Sequence, residues 1–429
     1  MIRVPIARLR DHVGETVTIA GWAATLRLQR AMQFVVLRDH TGSVQLTHRR
    51  DASPLEAELD GLTIESAMRV TGRVVSNPVV SLGGLELIPE RITVESRAAT
   101  PLPIDDNTGP EGRADWRFLD VRRRTAARLV FGVQTTVERA MREFAYASGC
   151  TEMHTPKLMG TASESGAEVF ELGYFGRSAY LAQSPQFYKQ MAIAAGVDRV
   201  FEIGPVFRAE PSFTSRHATE FTGVDVELAW ISDVEDVMDF EERMLAHVLA
   251  AVEADHGEQI AQHFGTRVTV PKTPFPRITM AQAHEILGTP GVRADLDPAA
   301  ERAVSARMAE RTGHEFVFVT RYPASVRPFY HMRPAGEPDL TCSFDLLWGG
   351  LEITTGAQRE HRYDVLVSQA AEKGVSTEPM RDYLNCFRYG CPPHGGLGLG
   401  LGRLLMVLLE LDSIRDAMFL FRGPNRLTP

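Results

Sequence analysis

The sequence predicts an α+β protein in which a small N-terminal β-barrel precedes a larger domain of strands and long helices. Two observations support this division. Residues 1–98 contain short segments in which apolar and polar residues alternate, separated by turn signals such as His40-Thr41-Gly42. Beyond residue 125, strand-like stretches alternate with segments of helical periodicity. The chain has 429 residues and 44% hydrophobic content, enough for two or three domains with large cores.

Composition and charge restrict the class of protein. The net charge of -9 argues against a basic surface over the whole molecule, although local basic patches remain compatible with it. The four cysteines show neither CxxC spacing nor a disulfide framework. The N-terminus lacks an apolar signal core, and no run of about 20 apolar residues follows. We therefore expect a cytoplasmic protein without a membrane segment.

The first domain, 1–98, carries five or so predicted strands and a helical insert near Pro54 to Leu62. This pattern predicts a barrel of the OB type, whose exposed strand face commonly binds single-stranded nucleic acid. A purely structural barrel is equally compatible with the pattern. Residues 99–125 are rich in Pro, Asp and Gly and lack periodicity, so we expect a hinge there.

The second domain, 126–429, opens with a predicted amphipathic helix that begins at Thr125 and that Gly149 ends. Further helical patterns occur over 185–194 and 233–312, and β-prone stretches, including RPFYHMR, return over 315–364. Lys189 lies near the start of the helix at 185–194, where the helix dipole disfavours a cation. We expect it to be either exposed or close to a buried acidic ligand.

Three arginines indicate an anion-binding site. Residues 201–229 are typical of a strand that ends at Arg208, a polar loop with Arg216, and a returning strand. Planar guanidinium groups suit phosphate oxygens, so we infer a polyphosphate partner; a solvated arginine-rich loop is the simpler alternative. The glycine-rich stretch 390–402 predicts a close approach to a ligand, and Arg403 opens an apolar helical run, where an anion is favoured.

Two acids stand in otherwise apolar predicted strands. Buried carboxylates such as Asp345 and Glu352 are uncommon unless they are paired, hydrogen-bonded or bound to a metal. Oxygen ligands beside a bound polyphosphate are a typical setting for Mg²⁺. The sequence contains no P-loop, and its Gly398-x-Gly-x-Gly402 run does not open a βαβ unit, which disfavours a dinucleotide site.

These segments resemble those of a known family. FRAE (207–210) and the GLGLG run before Arg403 resemble motifs 2 and 3 of the class II aminoacyl-tRNA synthetases. More narrowly, several longer segments resemble the archaeal-type aspartyl-tRNA synthetases, and the similarity spans nearly all 429 residues. These segments are QSPQFYKQ (183–190), RPFYHM (327–332), LEITTGAQREHRYD (351–364), FRYGCPPHGG (387–396) and NRLTP (425–429).

The resemblance implies a fold and a reaction. Residues 126–429 would form a class II synthetase catalytic domain built on an antiparallel sheet flanked by helices. Residues 1–98 would form an OB-fold anticodon-binding domain, and the helix that begins at Thr125 would make the interface of a homodimer. The enzyme would use ATP and Mg²⁺ to convert L-aspartate to aspartyl-adenylate, and would transfer the aspartyl group to tRNA(Asp).

The resemblance also implies roles for individual residues. Arg208 and Arg403 would be catalytic. ATP would be bound by these two arginines and by Glu210, Arg216, His217 and Glu352. Aspartate would be bound by Glu164, Gln186, Lys189, Thr355 and Arg359, the metal by Glu352, Thr355 and Asp345, and the central anticodon base by Phe34, Gln45 and Glu86. Because a neutral amide would leave Lys189 and Arg359 unpaired, we expect aspartate to be preferred over asparagine.

Departures from the family leave alternatives open. The residue before Arg403 is normally acidic but here is Gly402, and Leu420-Phe421-Arg422-Gly423 stands where the family has Phe-Pro-Arg-Asp. The alternative is a diverged paralogue that uses the adenylation site on another acceptor, or a non-catalytic tRNA-binding protein. Ala24 and Val80-Ser81 match neither the enzymes strict for tRNA(Asp) nor those that also charge tRNA(Asn). The lack of larger side chains there favours charging of both tRNAs.

Overall fold

The computed structural model describes residues 3–161 and 168–429. The chain divides into two compact units, Met1–Gly109 and Pro110–Pro429. Within the described ranges, no helix is both long enough and apolar enough to cross a membrane.

The first unit is a closed five-stranded barrel with the strand order β1-β2-β3-β5-β4. Its strands bury every second side chain, as in β2, where Gln33, Val35 and Leu37 point inward, so the alternation in the sequence becomes a filled interior. The strands are β1 Thr16–Leu28, β2 Met32–Arg38, β3 Ser43–Arg49, β4 Ala67–Ser76 and β5 Leu85–Ser96, with helix α1 Pro54–Asp60 between β3 and β4. The predicted OB-type barrel with a helical insert is confirmed.

The second unit is built on an eight-stranded sheet with the order β12-β13-β14-β15-β16-β11-β10-β6. The five central pairings are antiparallel, and the pairings at the two edges, β10 with β6 and β12 with β13, are parallel. The strands are β6 Thr151–Glu152, β10 Arg199–Phe207, β11 Glu220–Ala229, β12 Arg277–Thr279, β13 Phe316–Thr320, β14 Ser343–Trp348, β15 Leu351–Arg359 and β16 His394–Gly400. A separate small sheet has the order β7-β9-β8, with β7 Leu158–Met159, β8 Glu171–Tyr174 and β9 Arg177–Leu181.

Helices flank the large sheet and bury their apolar faces against it, which confirms the predicted architecture. The main core joins α4 and the long α6 to the central strands, with Val133, Val248, Val226 and Leu397 all fully or nearly fully buried. The helices are α2 Pro110–Asp115, α3 Arg117–Arg123, α4 Thr125–Ala147, α5 Gln186–Ala194, α6 Glu235–Phe264, α7 Met280–Ile286, α8 Pro298–Thr312, α9 Tyr363–Glu372, α10 Arg381–Arg388 and α11 Leu401–Leu408.

Three segments differ from the sequence predictions. The stretch expected to be an aperiodic hinge, 99–125, contains the short helices α2 and α3, which salt bridges from Arg415 and Arg426 to Glu111 attach to the C-terminal segment. The predicted strand RPFYHMR is wrong, because 327–333 forms only an isolated bridge between His331 and Arg359. Helices of six or seven residues and a single isolated bridge are too short to show a periodicity, so the sequence pattern could not identify them.

The glycine-rich stretch contains a central strand, which the sequence analysis does not predict. β16 lies between β15 and β11, with Gly396 opposite Glu227. A Cβ at Gly396 would stand 2.1 Å from the carbonyl oxygen of Val226 and 2.2 Å from the carboxylate of Glu227. Glycine therefore occurs in this strand, despite its low strand propensity, because the neighbouring acid fills the space that a side chain would need.

Candidate active site

A cavity of about 230 Å³ lies over the central strands of the large sheet. Its walls come from β10, β11, β15, β16 and α11, from the β10–β11 loop, and from residues 327–331. Nine of the residues predicted for ATP, aspartate or metal line it: Gln186, Arg208, Glu210, Arg216, His217, Glu352, Thr355, Arg359 and Arg403. Lys189 and Asp345 are buried beside the cavity wall, and the predicted Glu164 lies outside the described residues.

Arg208 stands at the end of β10, where the strand enters the polar loop. Its side chain is partly exposed, its guanidinium carbon lies 5.5 Å from the ring centroid of Phe221, and its Nη1 is 3.8 Å from Oε1 of Glu210. These contacts are loose for an arginine in a cavity. Its donors can therefore turn toward an anionic ligand at little cost.

The two other arginines are held more firmly by carboxylates. Arg216 Nη1 donates to Glu301 Oε2 at 2.8 Å, and Glu301 belongs to α8. Arg403, in the first turn of α11, donates through Nη1 to the backbone oxygen of Glu352 at 3.1 Å and to its Oε1 at 3.3 Å. The predicted convergence of three guanidinium groups on one cavity is thus realised, with acids that fix two of them.

The loop that carries Arg216 is tied to the C-terminal segment. The Ile414 amide donates to the carbonyl of Ser215 at 2.8 Å, and the Thr219 amide donates to the carbonyl of Arg422 at 3.0 Å. Beside this loop, burial and the neighbouring Arg403 lower the pKa of His217. His217 is therefore neutral near pH 7 and can act as a hydrogen-bond partner without adding charge.

The other end of the cavity rests on a buried network of two cations and two acids. Lys189 Nζ lies 3.0 Å from Asp225 Oδ1 and 3.2 Å from Glu227 Oε2, and it donates to the carbonyl of Leu397 at 2.9 Å. Arg359 donates through Nε to Glu227 Oε1 at 2.9 Å and through Nη2 to the carbonyl of Gly396 at 2.9 Å. Burial raises the pKa of Glu227, but Arg359 and Lys189 more than offset this, so its pKa is below the usual value.

This network corrects two expectations. Lys189 is buried, so the exposed alternative is wrong, and its acidic partners are the protein's own side chains. Lys189 and Arg359 are also paired without any ligand, contrary to the expectation that a neutral ligand would leave them unpaired. Asp225 and Glu227 alternate on one face of an otherwise apolar strand, and the buried-acid argument used for Asp345 and Glu352 would have identified them.

The residues predicted to hold a metal are only partly in place. The Thr355 hydroxyl lies 3.4 Å from Glu352 Oε1, and burial together with Asp345 raises the pKa of Glu352. Asp345 accepts a hydrogen bond from Arg327, whose guanidinium lies 3.7 Å from the ring centroid of Tyr322. The other oxygen of Asp345, Oδ1, is buried without a hydrogen-bond partner among the described residues, so it could accept a ligand.

This donor set suits Mg²⁺ better than a metal that needs a dedicated cage. Two carboxylates and a hydroxyl are hard oxygen ligands, and Mg²⁺ is typically held by one or two carboxylates together with phosphate and water oxygens. No cluster of three or more His, Cys, Asp or Glu side chains suited to a metal occurs in residues 3–161 and 168–429. A bound polyphosphate would have to supply the remaining ligands.

Three further residues of this site received no role in the sequence analysis. Glu301 comes from α8, more than 80 residues from its partner Arg216. Arg327 and His331 lie in the segment mistaken for a strand, and His331 Nε2 is 3.1 Å from Arg359 Nη1. Burial and Arg359 hold the pKa of His331 well below its usual range, so the imidazole is neutral and accepts this hydrogen bond.

In the barrel unit, the three residues predicted to hold a base lie on one patch. Gln45 of β3 is paired with Glu86 of β5, and Phe34 of β2 is paired with Thr47 of β3. All are partly exposed, and Thr47 Oγ1 donates to Glu86 Oε2 at 2.6 Å. An aromatic face, an amide and a carboxylate are thus presented together, which is the usual combination for binding an unpaired base.

An antiparallel sheet with three arginines over a cavity, in a chain that also carries an OB-type barrel, is the arrangement of a class II tRNA synthetase. Residues 109–422 match the family of class II tRNA synthetases for D, K and N. Residues 17–95 match the OB-fold nucleic acid binding domain. The chain belongs to this D, K and N family of class II tRNA synthetases.

Relatives of the chain match it along nearly its full length. It is 41% identical to the aspartate-tRNA(Asp) ligase of Pyrococcus horikoshii, over 97% of both chains. It is 43% identical to the aspartate-tRNA(Asp/Asn) ligase of Methanopyrus kandleri, over 98% of this chain and 97% of the relative. Among solved structures, asparaginyl-tRNA synthetase from Pyrococcus horikoshii complexed with asparaginyl-adenylate is 33% identical, has a TM-score of 0.92, and is covered fully in both chains.

Proposed function

We propose that the chain is an aspartate-tRNA ligase, which activates L-aspartate with ATP and transfers the aspartyl group to tRNA(Asp). The observation that carries this proposal is the convergence of nine predicted ligand-binding residues on one cavity. The cavity has two chemically different ends, one with Arg208, Arg216 and Arg403, and one with Arg359 in its wall and Lys189 buried behind it. A triphosphate suits the first end, and a small amino acid suits the second.

In the first step, the α-carboxylate of aspartate attacks the α-phosphorus of ATP. A bond forms between carboxylate oxygen and phosphorus, the bond to the bridging oxygen breaks, and pyrophosphate leaves. Arg208 stabilises the charge that develops on the α-phosphate, while Arg403, Arg216 and His217 hold the rest of the triphosphate. Transfer of this kind depends on positioning and electrostatics, and no protein nucleophile is needed. A hydroxyl of the terminal adenosine of tRNA then takes the aspartyl group and AMP leaves.

Glu352 and Thr355, with the buried and unpaired Oδ1 of Asp345, would hold Mg²⁺ beside the phosphates. When bound, the ion neutralises phosphate charge. Arg327 donates a hydrogen bond to the other oxygen of Asp345, so this carboxylate has a cation beside it before any ligand binds. Arg403 likewise places a cation beside Glu352, at 3.3 Å from its Oε1.

The amino-acid end must distinguish a carboxylate from an amide. Arg359 and Lys189 carry two positive charges, and Asp225 and Glu227 carry two negative ones, so the network is neutral before substrate binds. The weakest donor contact of Arg359 is Nη2 to Glu227 Oε2, at 3.5 Å. We propose that Arg359 turns this donor, and the remaining hydrogen of Nη1, to the side-chain carboxylate of aspartate. Gln186 lines the same end, and Glu164 is proposed to bind the ammonium group.

Further parts of the proposal concern partners and location. Phe34, Gln45 and Glu86 would hold the central anticodon base, which is uracil in both tRNA(Asp) and tRNA(Asn). We propose that tRNA(Asn) is charged as well, because Ala24 and Ser81 offer no large contacting side chain. A homodimer is supported by the exposed aromatic side chains of Trp116, Phe118 and Tyr146 on and near α4. We place the enzyme in the cytoplasm, where its tRNA partners are used.

The test is exchange of labelled pyrophosphate into ATP, measured with aspartate and with asparagine, followed by charging of tRNA(Asp) and tRNA(Asn) transcripts. We expect exchange that depends on aspartate, and charging of both transcripts. Exchange with asparagine alone would mean that the neutral network selects an amide over a carboxylate. Absence of exchange from folded protein would favour the diverged paralogue.

A further inference from the structure

The Glu86 carboxylate in the barrel patch is held by two side chains that no motif identified. Thr47 Oγ1 donates to Glu86 Oε2 at 2.6 Å, and Asn77 Nδ2 donates to Glu86 Oε1 at 3.1 Å. Each carboxylate oxygen therefore has its own donor, from a different strand end. Gln45 Nε2 adds a third link, because it donates to Thr47 Oγ1 at 3.2 Å.

The directions of these hydrogen bonds follow from the chemistry of the groups. An ionised carboxylate only accepts, so the Thr47 hydroxyl must give its hydrogen to Glu86. The hydroxyl oxygen then accepts from Gln45, which places the amide nitrogen of Gln45 toward Thr47. One relay thus fixes the orientation of both Gln45 and Glu86.

Asn77 is itself oriented by the turn in which it lies. Its Oδ1 accepts from the Val79 amide at 3.2 Å, so its Nδ2 is the atom that faces Glu86. Its backbone amide donates to the carbonyl of Gly84 at 2.8 Å. Gly83 and Gly84 adopt positive φ values of 71° and 68°, which lets the chain return from β4 to β5 at this point.

We propose that Thr47 and Asn77 are specificity-determining positioning residues, which hold the Glu86 carboxylate so that it accepts an imino N–H from the central anticodon base. This inference rests on the proposed function, because it assumes that the patch binds that base. Uracil carries a hydrogen on N3, whereas cytosine has a lone pair there. A fixed carboxylate therefore attracts uracil and repels cytosine, while a mobile one can turn away and tolerate either.

The experiment compares charging of two tRNA(Asp) transcripts, with uracil or with cytosine at the central anticodon position. The wild-type enzyme is compared with T47V, N77A and T47S, and kcat and KM for tRNA are measured separately. T47V and N77A are each expected to lower the preference for uracil about tenfold, mainly through KM, the size expected for loss of one charge-assisted hydrogen bond. T47S keeps the hydroxyl and is expected to retain the preference.

Two controls separate this inference from other causes. Thr93→Val changes an exposed threonine of β5, the strand that carries Glu86, and is expected to leave the preference unchanged. Aspartate-dependent pyrophosphate exchange should be equal in all variants, since it needs only the catalytic cavity. An unchanged preference in both T47V and N77A, or a loss in T47S as large as in T47V, would overturn the inference. Failure of the wild-type enzyme to charge either transcript would instead refute the proposed function.

Discussion

Glu241 provides a prediction about stability that the structure allows to be worked out in numbers. It lies in α6, its side chain is fully buried, and neither carboxylate oxygen makes a hydrogen bond of normal geometry within the described part of the chain. Burial raises its pKa to about 8; the Thr354 hydroxyl opposes this effect and Asp345 adds to it. At pH 7 the folded protein therefore carries a protonated Glu241, whereas the unfolded chain carries an ionised one.

The sign of the pH dependence follows from this difference. Below the ordinary value of 4.5, both states hold the proton and the group has no effect on stability. Between 4.5 and about 8, unfolding releases a proton, so stability falls by about 1.4 kcal/mol for each pH unit gained. Above about 8, both states are ionised and this loss stops growing. Between pH 5.5 and 7.5 the group should cost about 2 to 3 kcal/mol.

The test is Glu241→Gln, which keeps the shape of the side chain and removes its titration. We expect the difference in unfolding free energy, variant minus wild type, to rise by about 2 to 3 kcal/mol between pH 5.5 and 7.5. Urea denaturation at three or four pH values would measure it. The extra N–H donors of the amide add an offset that does not change with pH, so the slope is the informative quantity. Glu253→Gln, an exposed position on α6, serves as the control, and equal slopes for the two variants would refute the reasoning.

The remaining predictions concern the proposed ATP site, the glycine-rich strand β16 and the proposed anticodon-binding domain. Arg208→Ala should lower aspartate-dependent pyrophosphate exchange by about 10² to 10³ while tRNA binding by filter assay stays nearly unchanged; equal loss of both would contradict the assigned role. Gly396→Ala should lower the unfolding free energy by about 3 kcal/mol, because the added Cβ would collide with the Val226 carbonyl. Gly173→Ala is the control, because a Cβ at Gly173 would enter open space. Similar melting temperatures for the two variants would refute this prediction. Ala24→Trp should reduce charging of tRNA(Asn) but not of tRNA(Asp), and unchanged charging of both would count against a contact there.

The sequence predicted the barrel, the central hairpin and most of the cavity, because these depend on local patterns. Alternating burial in β2 and the strand that ends at Arg208 are visible in a window of ten residues. The acidic residues that bind the arginines of the cavity cannot be predicted from such local patterns. Glu301 reaches Arg216 from a helix in a distant part of the chain, and only the folded topology brings them within 2.8 Å.

The role of the glycines shows a different limit of sequence reasoning. From the sequence, Gly396 and Gly398 are predicted to lie where the backbone approaches a ligand closely. In the structure, a Cβ at Gly398 would lie 3.3 Å from Asp225 and one at Gly396 would collide with Glu227. The glycines make room for buried acids on the next strand, and those acids hold Lys189 and Arg359. Gly398 also lines the cavity, so the close approach of its backbone to a ligand stays a prediction.

The departures from the family near the C-terminus can be judged by their packing. A Cβ at position 423 would stand 2.7 Å from the ring of Phe421, so Gly423 and Phe421 together form one change rather than two independent losses. Phe421 is buried, and Arg415 lies over its ring with its guanidinium carbon 4.9 Å from the centroid. Gly402 similarly faces Ile414, whose side-chain carbons would be 3.0 Å from an added Cβ.

Co-adapted packing of this kind argues for a retained site. The positions that depart from the family are in ordinary interior contact, and they lie beside the loop that carries Arg216. Here Ile414 fills the space beside Gly402, and its amide still holds the loop of Arg216 through Ser215 at 2.8 Å. The substitutions therefore replace one packing solution by another while the arginine loop stays fixed, which favours an active synthetase over a paralogue that has left catalysis.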